Sequence, residues 1–344
     1  IGRKATLVAA LLTMGPSTVA IGLLPGYASI GILAPLLLAI FRFGQGLGLG
    51  GEWGGAVLLA TEYAPAEKKA WYGMFPQLGA PLGFILSNGS FLLLGNYLSN
   101  EDFLSWGWRI PFLASALLVF IGLYVRMNID ETPDFQKLTD SKGHVKVPMI
   151  TVFKKHTSTL MLGSLAATAT FVIFYLMTVF TLSWGTSHLG YERESFLFSQ
   201  LIAILFFAIG IPISSRWADK VGTFRILIIA TLLIFFFGLS FDSLFEAGNL
   251  LRTTLFLSLG LLLMGFTYGP LGTALAEIYP TAVRYTGSSM AFTFAGILGA
   301  SLAPYFATYL ATSFGLHYVG YYLSGISLIS LLALVLLKNR MSKK

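Results

Sequence analysis

The chain has 344 residues, of which 56% are hydrophobic and only 11% charged, with a formal net charge of +7. Soluble domains carry about a quarter charged residues, so this composition excludes a water-soluble globular protein and points to one embedded in lipid. The absence of cysteine excludes disulfides, thiolate metal sites and cysteine nucleophiles.

In chain order, the sequence begins Ile1-Gly-Arg-Lys4 without a methionine and turns apolar at Ala5, which reads as a start inside a loop. Ten apolar runs follow, at 5–24, 32–61, 72–97, 108–127, 158–184, 196–214, 225–241, 253–276, 287–313 and 316–337. A hydrocarbon core of ~30 Å takes about 20 helical residues, which these runs supply. No two-residue alternation of the outer-membrane barrel kind recurs, so the fold class is all-α, a polytopic membrane protein. Pro16, Pro35, Pro76, Pro81, Pro212, Pro270 and Pro304 are expected to kink the spans that contain them.

The second run holds the glycine-rich stretch Phe43-Gly-Gln-Gly-Leu-Gly-Leu-Gly-Gly-Glu-Trp-Gly-Gly55. No βαβ pattern surrounds it, so a dinucleotide-binding loop is set aside. Small residues four apart, such as Gly44 and Gly48 or Gly50 and Gly54, instead let neighbouring helices approach closely in lipid. The same run carries Arg42 and Glu52. At ~1.5 Å per residue Glu52 lies about 15 Å from Glu62, near the bilayer midplane, and Arg42 lies about another 15 Å outward. Two readings stand: a structural ion pair or snorkelled arginine, and a solute or proton site, the default for charge inside a membrane.

Lysine and arginine crowd into the loops on one side, which the positive-inside rule makes cytoplasmic, with both ends of the chain inside. The other side holds only Arg109, Arg193 and Arg252, with Trp106, Trp108 and Trp184 near that interface. A hydrophilic segment, 128–157, parts four spans from six; its stretch Glu131-Thr-Pro-Asp-Phe135 suits the inner leaflet surface. The division is therefore 1–127, an N-terminal bundle; 128–157, a cytoplasmic linker; and 158–344, a C-terminal bundle with a short tail.

An internal repeat relates the two parts. Glu62-x-x-Pro65-x-x-x-Lys69 recurs as Glu277-x-x-Pro280-x-x-x-Arg284, and Gly2-Arg-Lys4 is echoed near Asp219-Lys-Val-Gly222. Like-oriented helical halves are one architecture of secondary transporters. Symmetry with the six later spans implies six earlier ones, so two helices are expected ahead of Ile1.

These residues resemble the major facilitator superfamily and, within it, the metabolite–proton symporters of the shikimate, α-ketoglutarate and proline/betaine type. The resemblance rests on Arg42-Phe-Gly-Gln-Gly46, Gly50-Gly-Glu-Trp-Gly-Gly55, Pro76-Gln-Leu-Gly-Ala-Pro81, Trp106-Gly-Trp-Arg-Ile-Pro111 and Glu131-Thr-Pro133, and covers essentially the whole chain. It implies a fold of two helical bundles. It also implies an inner-gate charge cluster of Arg3, Glu62 and Lys69 in the first half. The partner cluster would be Asp219, Gly222, Glu277 and Arg284, with Arg225 standing in because Thr223 occupies a place usually basic. The bland alternative is that these charges only satisfy the positive-inside bias. Arg42 matches an arginine that partners an acid on the first helix in proton-coupled members.

For the cargo site, polar and aromatic groups near mid-span are candidates: Gln77, Asn88, Tyr175, Thr178, Gln200, Thr267 and Tyr268, beside Arg42 and Glu52. Each could equally be an interhelical hydrogen bond. An arginine in the cavity favours a carboxylate or zwitterion, whose oxygens match its fork.

The expected function is proton-coupled symport of a small organic anion or zwitterion by alternating access. The alternatives are an uncoupled facilitator and, more remotely, a receptor or sensor. No His-Glu-x-x-His spacing or buried nucleophile–base pair supports an enzyme. The expected partners are the bilayer, the cargo and a proton as coupling ion. No cofactor, metal or nucleic acid is expected, and the protein is expected to be a monomer in the inner membrane.

Overall fold

A computed structural model describes residues 3–128 and 147–342, with the side chain of Arg3 outside that description. Most of the linker, including the stretch from Glu131 to Phe135, also lies outside the described residues.

Ten long helices correspond to the ten apolar runs. They are α1 (Arg3–Leu23), α2 (Leu33–Glu62), α3 (Lys69–Tyr97), α4 (Ile110–Met127), α5 (Thr157–Ser187), α6 (Arg193–Val221), α7 (Thr223–Leu239), α8 (Leu250–Glu277), α9 (Thr281–Phe314) and α10 (Leu316–Met341). All but α7, at 17 residues, are long and apolar enough to cross a membrane. No strand occurs among the described residues. In lipid this is forced, because a helix satisfies its backbone groups within itself.

Two of the seven span prolines sit in first turns and not in helix interiors. Pro16, Pro76, Pro81, Pro212 and Pro270 lie inside helices. Pro35 falls in the first turn of α2, and Pro304 in the first turn of the Ala303–Phe314 segment. For Pro35 a missing N–H costs nothing, because no carbonyl of a preceding turn awaits it, whereas Pro304 lies just after a break in α9. Helices α5 and α9 are each interrupted by a single π-turn, Leu176–Phe180 and Ile297–Ser301.

The first helices are tied by basic side chains that donate to backbone carbonyls at helix ends. Lys4 reaches the Met127 oxygen at 2.7 Å and Arg126 the Leu7 oxygen at 2.9 Å, so α1 and α4 meet at one end. At their other end Arg109 donates to the oxygens of Gly22 (3.0 Å) and Leu24 (2.6 Å), groups that the end of α1 leaves unpaired. In the later part, α6 packs along α8, and α10 packs between α5 and α7. Ser330 of α10 donates to the Leu165 oxygen at 2.6 Å and accepts from the Ala169 N–H at 3.1 Å. The two parts meet where α3 lies against α6 and α8, and α2 against α8 and α9. Many large apolar side chains remain exposed, among them Leu117, Phe120, Leu255 and Leu336, as expected of surfaces that face acyl chains.

One close crossing is between α6 and α8. A Cβ on Gly265 would lie 2.6 Å from the Phe207 oxygen, and one on Gly210 would lie 2.8 Å from the Leu262 oxygen. Both obstacles are backbone and cannot swing aside. Gly265→Val should therefore cost at least ~1–3 kcal/mol, the usual penalty for overpacking, and lower the thermal unfolding midpoint in detergent. Gly46→Ala, whose added carbon meets nothing within 4 Å, should leave that midpoint in place.

Candidate functional site

Between the two groups of helices lies a cavity of about 820 Å³. Its lining comes from α2 (Arg42), α3 (Phe84, Ser87, Asn88), α5 (Phe174, Tyr175, Thr178, Val179, Leu182, Ser183, Thr186) and α6 (Arg193, Gln200). Thr186 and Arg193 stand where α5 gives way to α6, so the cavity reaches the end of the helices opposite the lysine-rich loops. Arg42 and Arg193 are the charged groups of this lining, and no carboxylate is among the described residues that form it.

One wall depends on the α5 π-turn. A wider turn leaves carbonyls without an intrahelical partner. The Gln200 amide, buried on α6, donates to two of them, the Met177 oxygen at 3.0 Å and the Thr178 oxygen at 2.7 Å. Below, the Phe84 and Phe174 rings meet edge to face across the two halves at 6.4 Å. Phe174 continues to Phe207 (5.9 Å) and Phe207 to Tyr268 (5.6 Å). Next comes a buried amide bridge. Trp53 Nε1 donates to Gln77 Oε1 at 2.9 Å, and Gln77 Nε2 donates to the Tyr268 carbonyl at 2.9 Å. Trp53 is itself stacked on Phe292 of α9. This aromatic and amide layer separates the cavity from the basic end.

The basic end is shut by polar contacts between the halves. The Asp219 carboxylate, near the end of α6, accepts from the N–H groups of Ala70 (2.8 Å) and Trp71 (3.0 Å) in the first turn of α3. Helix-start N–H groups have no intrahelical acceptor, and the helix dipole favours negative charge there. Arg284 lies 3.4 Å from Glu62, whose carboxylate is only 3% exposed. Thr273 donates to the Lys69 oxygen at 3.3 Å. Glu62, Lys69, Glu277 and Arg284 share the wall of a small pocket of about 220 Å³. Gly222 ends α6 with φ +100, a left-handed conformation that favours glycine, and its N–H closes on the Ala218 oxygen. Tyr279, in the α8–α9 loop, has a buried hydroxyl without a partner, and burial pushes its phenol pKa up.

Of the site residues expected from sequence, Arg42, Asn88, Tyr175, Thr178 and Gln200 line the cavity. Four do not. Gln77 and Tyr268 form the amide bridge below it, and Thr267 is buried with its hydroxyl donating to the Met264 oxygen of its own helix. Glu52 is turned toward α4, where it pairs with Arg126. Arg126 sits in the last turn of α4, and its guanidinium folds back toward α1 and α2. Of the gate residues, Glu62, Lys69, Asp219, Glu277 and Arg284 gather at the basic end, and Gly222 shapes the nearby turn. Arg225 points away, exposed in the first turn of α7, and the side chain of Arg3 lies outside the described residues.

Arg193, Ser183 and Thr186 were not expected. A signal existed for Arg193: it and Gln200 are seven residues apart, two turns on one helical face.

Residues 1–304 match the family model described as the Major Facilitator Superfamily. The chain belongs to that superfamily. Its members are membrane transporters, so this major facilitator is a transporter and not an enzyme. It is 52% identical over 341 residues to the inner membrane metabolite transport protein YhjE of Escherichia coli K12, covering 98% of this chain and 78% of that protein. It is 33% identical to the shikimate transporter of the same organism, covering 98% of this chain and 78% of the relative. A solved structure of the proton:xylose symporter XylE superposes with a TM-score of 0.74 at 17% identity, covering 96% of this chain and 79% of XylE, and this shows the shared fold.

Asp219→Ala should weaken closure of the basic end. Loss of a helix-start acceptor costs about 0.5–2 kcal/mol, a roughly twofold to thirtyfold shift of the closed-to-open ratio. A cysteine placed at Thr273 in this cysteine-free chain should react correspondingly faster with an impermeant thiol reagent once Asp219 is replaced.

Proposed function

We propose that this major facilitator is a proton-coupled symporter of a small organic anion, working by alternating access. The observation that carries the reading is the cavity between the halves, whose charged lining is Arg42 and Arg193. A guanidinium holds a carboxylate through two parallel hydrogen bonds, and it does so best where water is scarce. Ser87, Asn88, Tyr175, Thr178, Ser183 and Thr186 add neutral hydrogen-bonding groups suited to a hydroxylated or keto acid. The shikimate transporter relationship supports a cargo of this class.

The parts 1–127 and 158–344 act as two bundles joined by the 128–157 linker. The basic end faces the cytoplasm, where the positive-inside rule puts it, in the inner membrane of the cell. The conformation described here is closed at that end and accessible from the other. Rocking of the bundles would exchange the Asp219 and Glu62–Arg284 contacts for an opening there, and charged contacts between helix ends suit such exchange. Arg42 serves both cargo and proton, because binding either partner alters the charge the other meets. The protein acts as a monomer.

Vesicles containing the protein should accumulate a labelled organic acid above its outside level only while a proton gradient is maintained. A protonophore should reduce accumulation to equilibration. Uptake that reaches the same uphill level after collapse of the gradient would favour the uncoupled facilitator. Arg42→Ala should lose at least about tenfold in uphill uptake, since an unpaired carboxylate would be left in a desolvated cavity.

A further inference from the structure

Three arginines lie at the end of the molecule where the cavity opens. Arg109 is engaged with the Gly22 and Leu24 carbonyls and stacks over the Trp108 ring at 4.6 Å. Arg252 is engaged with Glu246 and with the Ser243 carbonyl. Arg193 differs: it lines the cavity and makes no hydrogen bond or ion pair with any described residue. It is also the first residue of α6, where the helix dipole disfavours a cation. Its chain neighbours Glu192 and Glu194 carry carboxylates, but neither pairs with it. Glu192 accepts from the Ser195 hydroxyl at 3.0 Å, and neither Glu192 nor Glu194 forms part of the lining.

Depth separates Arg193 from Arg42. Arg193 stands at the mouth, seven residues above Gln200 on α6, about 10 Å at 1.5 Å per residue. Arg42 is nine residues inside the start of α2, about 13 Å down by the same rise, and holds Gln45 Oε1 at 3.2 Å. An anion approaching from this side meets the unengaged cation first and the deeper one second. The two cations belong to opposite halves.

We propose that Arg193 is the capture residue of the transporter: it binds the anionic group of the cargo at the mouth and delivers it to Arg42. This rests on the anion-symport reading above. Arg193 sets the rate and affinity of loading, and Arg42 the coupling. Arg193 is exposed, so its pull is screened over roughly a Debye length of 8 Å at physiological salt. Steering by such a charge accelerates association by about tenfold or more at low salt.

The test is uptake kinetics of labelled shikimate and labelled succinate, at low and at physiological salt, for the unaltered protein, Arg193→Ala, Arg193→Lys and Arg42→Ala. Arg193→Ala should raise KM by roughly tenfold at low salt with Vmax nearly unchanged, and the gap should narrow at physiological salt. Arg193→Lys should restore most of the loss, because capture needs charge more than a fork. Thermal unfolding of Arg193→Ala should match the unaltered protein, since no contact within the fold is removed. An unchanged KM for Arg193→Ala, with accumulation lost in Arg42→Ala, overturns the capture role and leaves the symport reading intact. A fall in Vmax that lysine does not rescue overturns it as well. If the unaltered protein takes up neither acid, or if both alanine variants behave like it, the anion reading itself fails.

Discussion

Everything else in the arrangement depends on one carboxylate crossing from one half to the other. Asp219, at the end of α6, supplies the acceptor that the first turn of α3 lacks. A helix start carries several N–H groups with no partner and a partial positive charge, so in a poorly hydrated place it must find an anion. The buried Glu62 beside Arg284 meets the same requirement for a cation. The halves are thus drawn together there, at the end away from Thr186 and Arg193. The contacts are polar and few, unlike the apolar interior of α5 to α10, and such contacts can be traded for water or for new partners at modest cost.

From that shut end outward, the chemistry changes in layers. Charged pairs give way to the Trp53–Gln77–Tyr268 bridge, then to the rings of Phe84, Phe174 and Phe207, then to hydroxyls and two guanidinium groups. The middle layers hold no charge, so an ion crossing them has nothing to replace its hydration. A solute can therefore leave toward the basic end only if the layers part, and the Gln77 amide, donated by one half to a backbone oxygen of the other, is among the contacts that must break.

Much of this could be read from the residues, because lipid enforces simple rules. Apolar runs gave ten helices close to their observed bounds, and the recurrence of Glu62-x-x-Pro65 as Glu277-x-x-Pro280 pointed to charges that the structure does gather. The misses share a cause. A polar side chain in a span can face a neighbour or a cavity, and local spacing cannot choose, so Gln77 and Gln200 looked alike although one bridges the halves and the other braces a wall. Arg126 and Arg193 sit at helix ends, and counting them as loop charges concealed that long side chains fold back along the helix. The π-turns carry no marker at all in Leu176-Met-Thr-Val-Phe180 or Ile297-Leu-Gly-Ala-Ser301.

The α5 π-turn has a consequence for how this wall could evolve. It inserts one residue into a helix that otherwise advances about 100° per residue, so the segment above it is rotated relative to the segment below. Tyr175 precedes this turn, Thr178 lies within it, and Ser183 and Thr186 follow it. Loss of one amino acid between 176 and 180 would regularise the spiral and leave Ser183 and Thr186 facing as they do, but it would return to the helix the carbonyls that the Gln200 amide now holds. A change in length alone could in this way free the Gln200 amide toward the cavity, with every remaining residue kept.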